Sequence, residues 1–223
     1  MAPDLAHRWT TWLDLLEGHG FAISAVLQPP ANNAALETLE TVTGQRLTDE
    51  IRAFYQLNNG QRTRPSERQV QEGRAAPWPP TAAPVFGFYE FLSTEAAAHA
   101  WSIWQSVAEQ QGPDGMAEMA EPVTVDEPDK VKREYWIPGW LPFAQDGGGN
   151  ALAFDLAPEP AGIVGQIIII GSDEDHRRIF APSISELLAR IASEWADGRF
   201  EIETEDEETR YYCLLYTSDA ADE

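Results

Sequence analysis

The stretch WLPFAQDGGGNALAFDLAPEPAGIVGQIIII, residues 140–170, gathers groups that could do chemistry: Asp146, three glycines, Asn150, a second acid at Asp155, and a Gly-rich re-entry into an apolar run. An acid and an amide around glycines can cradle a phosphate, hold a hard cation or close a turn. A phosphate cradle needs glycines spaced G-x-G-x-x-G and leading into a helix; DGGGN has neither the spacing nor the helix. A calcium loop needs alternating acids and a terminal glutamate, which are missing here. A turn between strands, with the Asp and Asn side chains bonding nearby backbone, fits the residues best.

Other chemical signatures are sparse. The sequence contains no G-x-S-x-G elbow, no Walker A loop and no H-E-x-x-H pair. His7, His19, His99 and His176 are scattered without metal-ligand spacing. The acid cluster SDEDH, residues 172–176, reads as a solvated hairpin turn rather than a cation site. Trp101 and Trp104, three apart on a helical stretch, and Trp136 and Trp140, flanking IPG, read as core aromatics rather than a ligand cage. We therefore name no catalytic, cofactor-binding or metal-ligating residue, and expect no enzyme activity and no cofactor.

Composition bounds the partners. A hydrophobic content of 43% and 16 prolines in 223 residues are those of a globular chain with long loops, large enough for a real core. The 37 acidic against 15 basic residues give a net charge of −22, which repels nucleic-acid backbones and favours fast encounter with a basic protein. Simple solubility is the alternative reading of that charge. No apolar run is long enough to span a bilayer and residues 1–20 lack the pattern of a secretion signal, so the expected location is cytoplasmic. Residues 213–223, CLLYTSDAADE, resemble translated sequencing-adapter read-through and are expected not to be native. With them goes the one cysteine, Cys213, and any cysteine chemistry.

The elements that must position the turn can be read along the chain. Apolar residues at three-and-four spacing, Leu5, Trp9, Trp12, Leu13 and Leu16, predict an amphipathic helix over 4–17. A second helix starts after Pro30, capped by Asn32 or Asn33 and stopped at Gly44. A third, capped by Thr48, turns Ile51, Phe54, Tyr55 and Leu57 inward and ends at Asn58-Asn59-Gly60. Residues 61–84, rich in Pro and carrying Arg62, Arg64, Arg68 and Arg74, read as a long mobile loop and the one locally basic patch. VFGFYEFLS reads as a short strand and bend, residues 93–111 as a helix, and 112–130 as an acidic loop. EYWIPGWLPFAQD, NALAFDLAP, VGQIIIIGS and RRIFAPS read as successive strands. Ser183 to Glu186 has the form of a capping box opening a last helix through Trp195. EIETEDEE, residues 201–208, carries six acids in eight residues and reads as a solvated tail. Helices first, then a meander of strands closed by a helix, is an α+β domain.

In that order, EIRAFYQLNNGQ, the WIPGWLPFAQDGGGNALAFDLAP stretch with GIVGQIIII, and FAPSISELL resemble the motifs of the SMI1/KNR4 family of the SUKH superfamily. The matching positions are Asn59, Gly60, Gln61, Trp140, Pro142, Phe143, Asp146, Gly149, Asn150, Asp155, Pro158, Gly162, Gly165, Gln166, Ser183 and Leu187, within residues 35–196. Two departures stand out: Leu47-Thr48 replaces the usual Leu-Pro before the third helix, and either Trp136 or Trp140 fills the family's tryptophan position. The resemblance implies an N-terminal extension over 1–30, a domain over 31–200 with a mostly antiparallel sheet, and an acidic tail over 201–212. It implies that the motif polar groups serve tight turns, with a groove near Asn59, Asp146 and Asn150 as the alternative. It also implies a non-catalytic binding role. The first expectation is an immunity-type inhibitor of a basic toxin domain; the alternative is a regulatory scaffold for an endogenous partner in cell-wall synthesis or signalling. For the inhibitor, loops 61–84 and 112–130 are the expected contact surface.

Overall fold

The computed structural model describes residues 4–205 and 208–213. Three helices come first: α1 (Leu5–Gly18), α2 (Asn33–Thr43) and α3 (Asp49–Leu57). Asp4, Asn32 and Thr48 cap them by accepting a backbone N–H three residues on, and Gly44 ends α2 in the left-handed region at φ 66°. A five-residue helix, α4 (Glu67–Gln71), interrupts the Pro-rich loop, closed by a reciprocal Ser66–Gln69 capping box. Then follow β1 (Glu90–Phe91), α5 (Thr94–Met119), β2 (Thr124–Val125), β3 (Trp140–Gln145), β4 (Asn150–Asp155), β5 (Gln166–Gly171), β6 (His176–Arg177), β7 (Ile179–Ala181), α6 (Ile184–Ala196), β8 (Phe200–Glu205) and β9 (Glu208–Cys213).

The architecture is α+β. Its main sheet has the order β1-β3-β4-β5-β7 with every pairing antiparallel. All six residues of β5, the QIIIIG run, are buried, as are five of six in β3 and in β4. Strands this apolar need cover on both faces. Helix α5 packs against β3, and α6 against β5 and β7. One bulge is visible in the sequence once its register is known. Pro142 faces Ala153 and Ala144 faces Leu152, leaving Phe143 as the extra residue. Proline cannot donate to a ladder, so the irregularity falls where a hydrogen bond is already lost. Phe143 stacks on Phe154 with centroids 4.3 Å apart, and its carbonyl accepts the Leu92 N–H.

The core is aromatic in two linked groups. Trp9, Phe54, Phe86, Phe91 and Phe143 meet where α1 and α3 cover the sheet's β1 edge. Trp12, Phe21, Trp195 and Tyr211 form the second. Residues 4–30 thus supply Trp9, Trp12, Leu16, Phe21, Ile23 and Val26 to the same interior as the elements that follow.

Three expectations are corrected. Residues 112–130 are not one loop: Gly112 breaks α5 at φ 65°, after which Pro113, suited to a first helical turn, restarts it through Met119. The last helix has half a capping box. Ser183 Oγ accepts the Glu186 N–H, but the Glu186 carboxylate pairs with Arg8 at 2.7 Å and so joins α6 to α1. The acidic stretch from Glu201 is β8, paired with β9 in an antiparallel hairpin. Phe200, Ile202 and Thr204 alternate with Glu201, Glu203 and Glu205, a period of two that the charge count conceals. Side chains 201–203 are exposed, while Tyr211 is buried and donates its hydroxyl to the Val85 carbonyl at 2.7 Å. Residues 214–223 lie outside the described residues. Tyr211→Ala should cost about 3–5 kcal/mol in urea denaturation, as for other buried aromatics. An unchanged unfolding midpoint would return the hairpin to a tail.

Candidate functional site

The family-like positions fall into three clusters and a helix start. The first cluster ends α3. Asn59 Oδ1 accepts the Thr94 N–H at 2.8 Å, at the first turn of α5. Gly60 has φ 78°, and a Cβ there would lie 2.3 Å from the Ser93 nitrogen, so both backbone angle and space demand glycine. Gln61, 4% exposed, accepts the Val85 and Phe91 N–H groups on its side-chain oxygen, each at 3.0 Å. Its own N–H goes to the Phe91 carbonyl. These three residues are used inside the fold.

The second cluster is the glycine turn. Asp146 Oδ1 accepts the Gly148 and Asn150 N–H groups, and its other oxygen accepts from the Asn150 amide at 2.8 Å. Gly147 and Gly149 have φ of 77° and 107°. A Cβ on Gly149 would meet Ser172 Oγ at 2.6 Å, and Asn150 Oδ1 accepts the Asp173 N–H, so the turn is tied to the next one. The carboxylate that could have held a ligand holds backbone.

The third cluster surrounds Asp155 and Gln166, both buried. The Gln166 amide donates to Asp155 Oδ2 at 2.9 Å and to the Lys130 carbonyl at 3.0 Å, while its oxygen accepts the Ile163 N–H. Burial raises the Asp155 pKa above the usual carboxylate value, against the hydrogen bonds from Gln166 and the Ala157 N–H. A Cβ on Gly162 would strike the Lys130 carbonyl oxygen at 2.4 Å and Pro158 Cβ at 2.7 Å. Gly165, at φ 92°, gives its N–H to the Asp155 carbonyl. Trp140 is fully buried beneath the Arg177 guanidinium, 5.7 Å from its ring centre, and Trp136 is buried too, so both tryptophans are core. Ser183 and Leu187 begin α6 as cap and buried anchor.

What the turn leaves open is a groove of about 370 Å³. One wall is α5, through Ala100, Ile103, Trp104 and Val107; the other is Pro142, Gly149, Asn150 and Ala151, with Tyr135 alongside. Of the three polar residues expected to converge, Asn150 lines it and Asn59 and Asp146 do not. Neither predicted contact loop lines it. Ile103 is 53% exposed, a large apolar side chain facing solvent on the α5 wall. Sequence periodicity placed Trp104 inward; it is half-buried at the groove instead. Ile103 escaped notice because an apolar residue one step off a helix stripe is ordinary on a surface.

The groove is apolar and its margin is acidic. Burial raises the pKa of the Tyr135 phenol; Arg177 opposes this, and the carboxylates of Asp175 and Asp173 add to it. Ser172 lines the groove, so Asp173, Glu174 and Asp175 of the 172–176 turn stand next to its edge, with Arg177 also acting on Tyr135. The turn's His176 bonds Asp126 at 2.6 Å across the β2–β6 pair. Among the described residues no group of three or more His, Cys, Asp or Glu is placed to hold a metal, and no helix is long and apolar enough to cross a membrane.

Comparison with known proteins gives a match to the SMI1 / KNR4 family (SUKH-1) over residues 30–190. A fission-yeast protein named "Cell wall biosynthesis/cell cycle regulator smi1" is 39% identical over 89 residues, 40% of this chain and 17% of that protein. The "Glucan synthesis regulatory protein" of Neurospora crassa is 39% identical over 83 residues, 37% of this chain and 16% of its own. The "Cell wall assembly regulator SMI1" of Saccharomyces cerevisiae is 36% identical over 73 residues, 33% and 13%. The chain therefore matches less than a fifth of the length of each of these relatives.

Two substitutions test the buried polar groups. Gln61→Leu keeps the volume but orphans the Val85 and Phe91 N–H groups, for an expected cost of about 1–3 kcal/mol each in urea unfolding. Asp155→Asn sets a second amide against Gln166 and should cost about 1–3 kcal/mol. Its cost should depend on pH. With a raised folded pKa, Asp155 favours folding when protonated, and that contribution declines as pH rises above the ordinary value near 3.9. The gap between wild type and Asp155→Asn should therefore narrow as pH rises above about 4; a gap that widens would refute the assigned direction.

Proposed function

The chain belongs to the SMI1/KNR4 family, and on that premise we propose that it is a non-catalytic regulatory module that binds a protein segment in the groove between α5 and the β3–β4 turn. The observation that carries this reading is the half-exposed Ile103 beside Trp104 on an apolar wall, with an acidic margin at residues 172–176. Apolar anchors in a pocket hold a complex together, and charge around them sets partner choice and encounter rate. The fitting partner presents one or two apolar side chains flanked by Lys or Arg. The polar groups of the family-like motifs bond inside the fold, which leaves no nucleophile or acid–base pair to assign. The names of the fungal relatives, as regulators of cell-wall assembly and glucan synthesis, support a regulatory partner.

The inhibitor reading is second, and the net charge of −22 favours it. Such a surface suits fast capture of a basic toxin domain. The two readings differ in what is bound and where, the inhibitor reading placing its contacts on loops 61–84 and 112–130.

A chimera separates them. In the fission-yeast regulator, the matched segment is replaced by residues 4–213 of this chain, and growth is scored under cell-wall stress. We expect growth to be restored, and Ile103→Asp to abolish the rescue with the melting temperature unchanged, since the side chain faces solvent. A folded chimera without rescue, together with salt-sensitive binding of the full chain to a purified basic toxin domain, would move the assignment to the inhibitor.

A further inference from the structure

The Pro-rich loop takes no part in the groove, yet it has a face of its own. Residues 74–80 read Arg-Ala-Ala-Pro-Trp-Pro-Pro. Three of the five residues 76–80 are prolines, whose rings fix φ near the polyproline II value, and each proline pushes the residue before it toward the same extended region. Local sterics therefore favour polyproline II over residues 76–79, which lie between a bend at Arg74 and Ala75, bonded back to Gln69, and the turn at Pro80 and Thr81. Drawn out into that three-residue turn across 74–80 in a partner's groove, Arg74, Pro77 and Pro80 would share one side.

Arg74, Pro77 and Pro80 are all exposed, while Trp78 and Pro79 between them are half-buried. The segment is held from behind. Arg62 lies over the Trp78 ring at 5.1 Å and donates to the Ala76 and Pro77 carbonyls, the latter at 3.1 Å. The Trp78 indole N–H reaches the Ala82 carbonyl at 3.3 Å, and the Ala82 N–H reaches the Pro79 carbonyl. Pinning one face fixes which face is offered, and a pre-ordered segment loses less entropy on binding. The Arg74 side chain is 57% exposed and rests on Glu72, with Nε 2.7 Å from Oε2. An exposed ion pair of this kind is weak and exchanges readily for another carboxylate.

We propose that residues 74–80 are a docking segment for an SH3-type domain, a partner with an aromatic-lined groove for Pro77 and Pro80 and an acidic pocket for Arg74. Aromatic grooves recognise polyproline II ridges by shape, and a carboxylate pocket takes the guanidinium with charge-assisted hydrogen bonds. Charge supports this partner. The loop carries four arginines against two glutamates in a chain of net charge −22, so an acidic pocket is attracted here and repelled elsewhere on the surface. The proposal does not depend on the groove reading.

The test is calorimetric titration of the full chain with a recombinant SH3 domain selective for Arg-x-x-Pro-x-x-Pro ligands. We expect micromolar binding, weakened at least about tenfold in Pro77→Ala/Pro80→Ala and in Arg74→Glu. All three side chains are exposed, so the melting curves should be unchanged; if the double proline variant shifts its melt, Arg74→Glu decides. Absence of binding at submillimolar domain concentration, or equal binding by wild type and Arg74→Glu, overturns the proposal.

Discussion

One buried amide organises the middle of this chain. Gln61 Oε1 takes the N–H groups of both Val85, in the turn before β1, and Phe91, in β1 itself. An unpaired buried N–H costs about as much as the hydrogen bond it lacks, so the side chain does what a missing strand would have done. Its neighbours extend the effect. Gly60 lets the chain run against Ser93, and Asn59 holds the first turn of α5. The end of α3, the edge of the sheet and the start of α5 are thereby fixed to one another. Since α5 forms one wall of the groove, the wall's position follows from residues that never touch it.

The opposite wall is fixed in the same manner. Asp146 folds its carboxylate back onto the glycine turn, Phe143 bulges where Pro142 cannot donate, and Asp155 and Gln166 lock the far end of β4 to the loop before β5. The motif residues bond mainly within the frame, and in the proposed reading binding falls to side chains of no distinctive type on its surface. This division is general: scaffolds keep the residues that satisfy buried backbone, while partner choice is set where solvent is reached.

The same division governs what could be read from sequence. The caps at Asn32 and Thr48, the Gly44 stop and the β order of the second half follow from local rules, and the structure has them. The role of Asp146 was legible because its partners lie within four residues. Gln61 was not, since the N–H donors it accepts sit 24 and 30 residues away. Gly112-Pro113 reads as a stop, and the helix resumes because proline suits a first turn as well as it breaks an interior. Glu186 looked like a capping partner until Arg8, 178 residues distant, took its carboxylate. In β8 the acids dominated the count and hid an alternation that Tyr211, at the other end of the hairpin, makes worthwhile.

Charge separation explains how a basic loop survives on so acidic a molecule. Left alone, Arg62, Arg64, Arg68 and Arg74 would be drawn across the surface toward the carboxylates that outnumber them. Most of this pull is met inside the loop. Glu72 accepts from both Arg68 and Arg74, which lowers its pKa below the usual carboxylate value, and Arg62 is held between the Trp78 ring and two carbonyls. Interactions this local are little affected by the distant field, which salt screens within about 10 Å. The loop can therefore keep its proline ridge outward while the groove keeps its acidic margin. A basic loop and the acidic 172–176 turn thus coexist on one molecule.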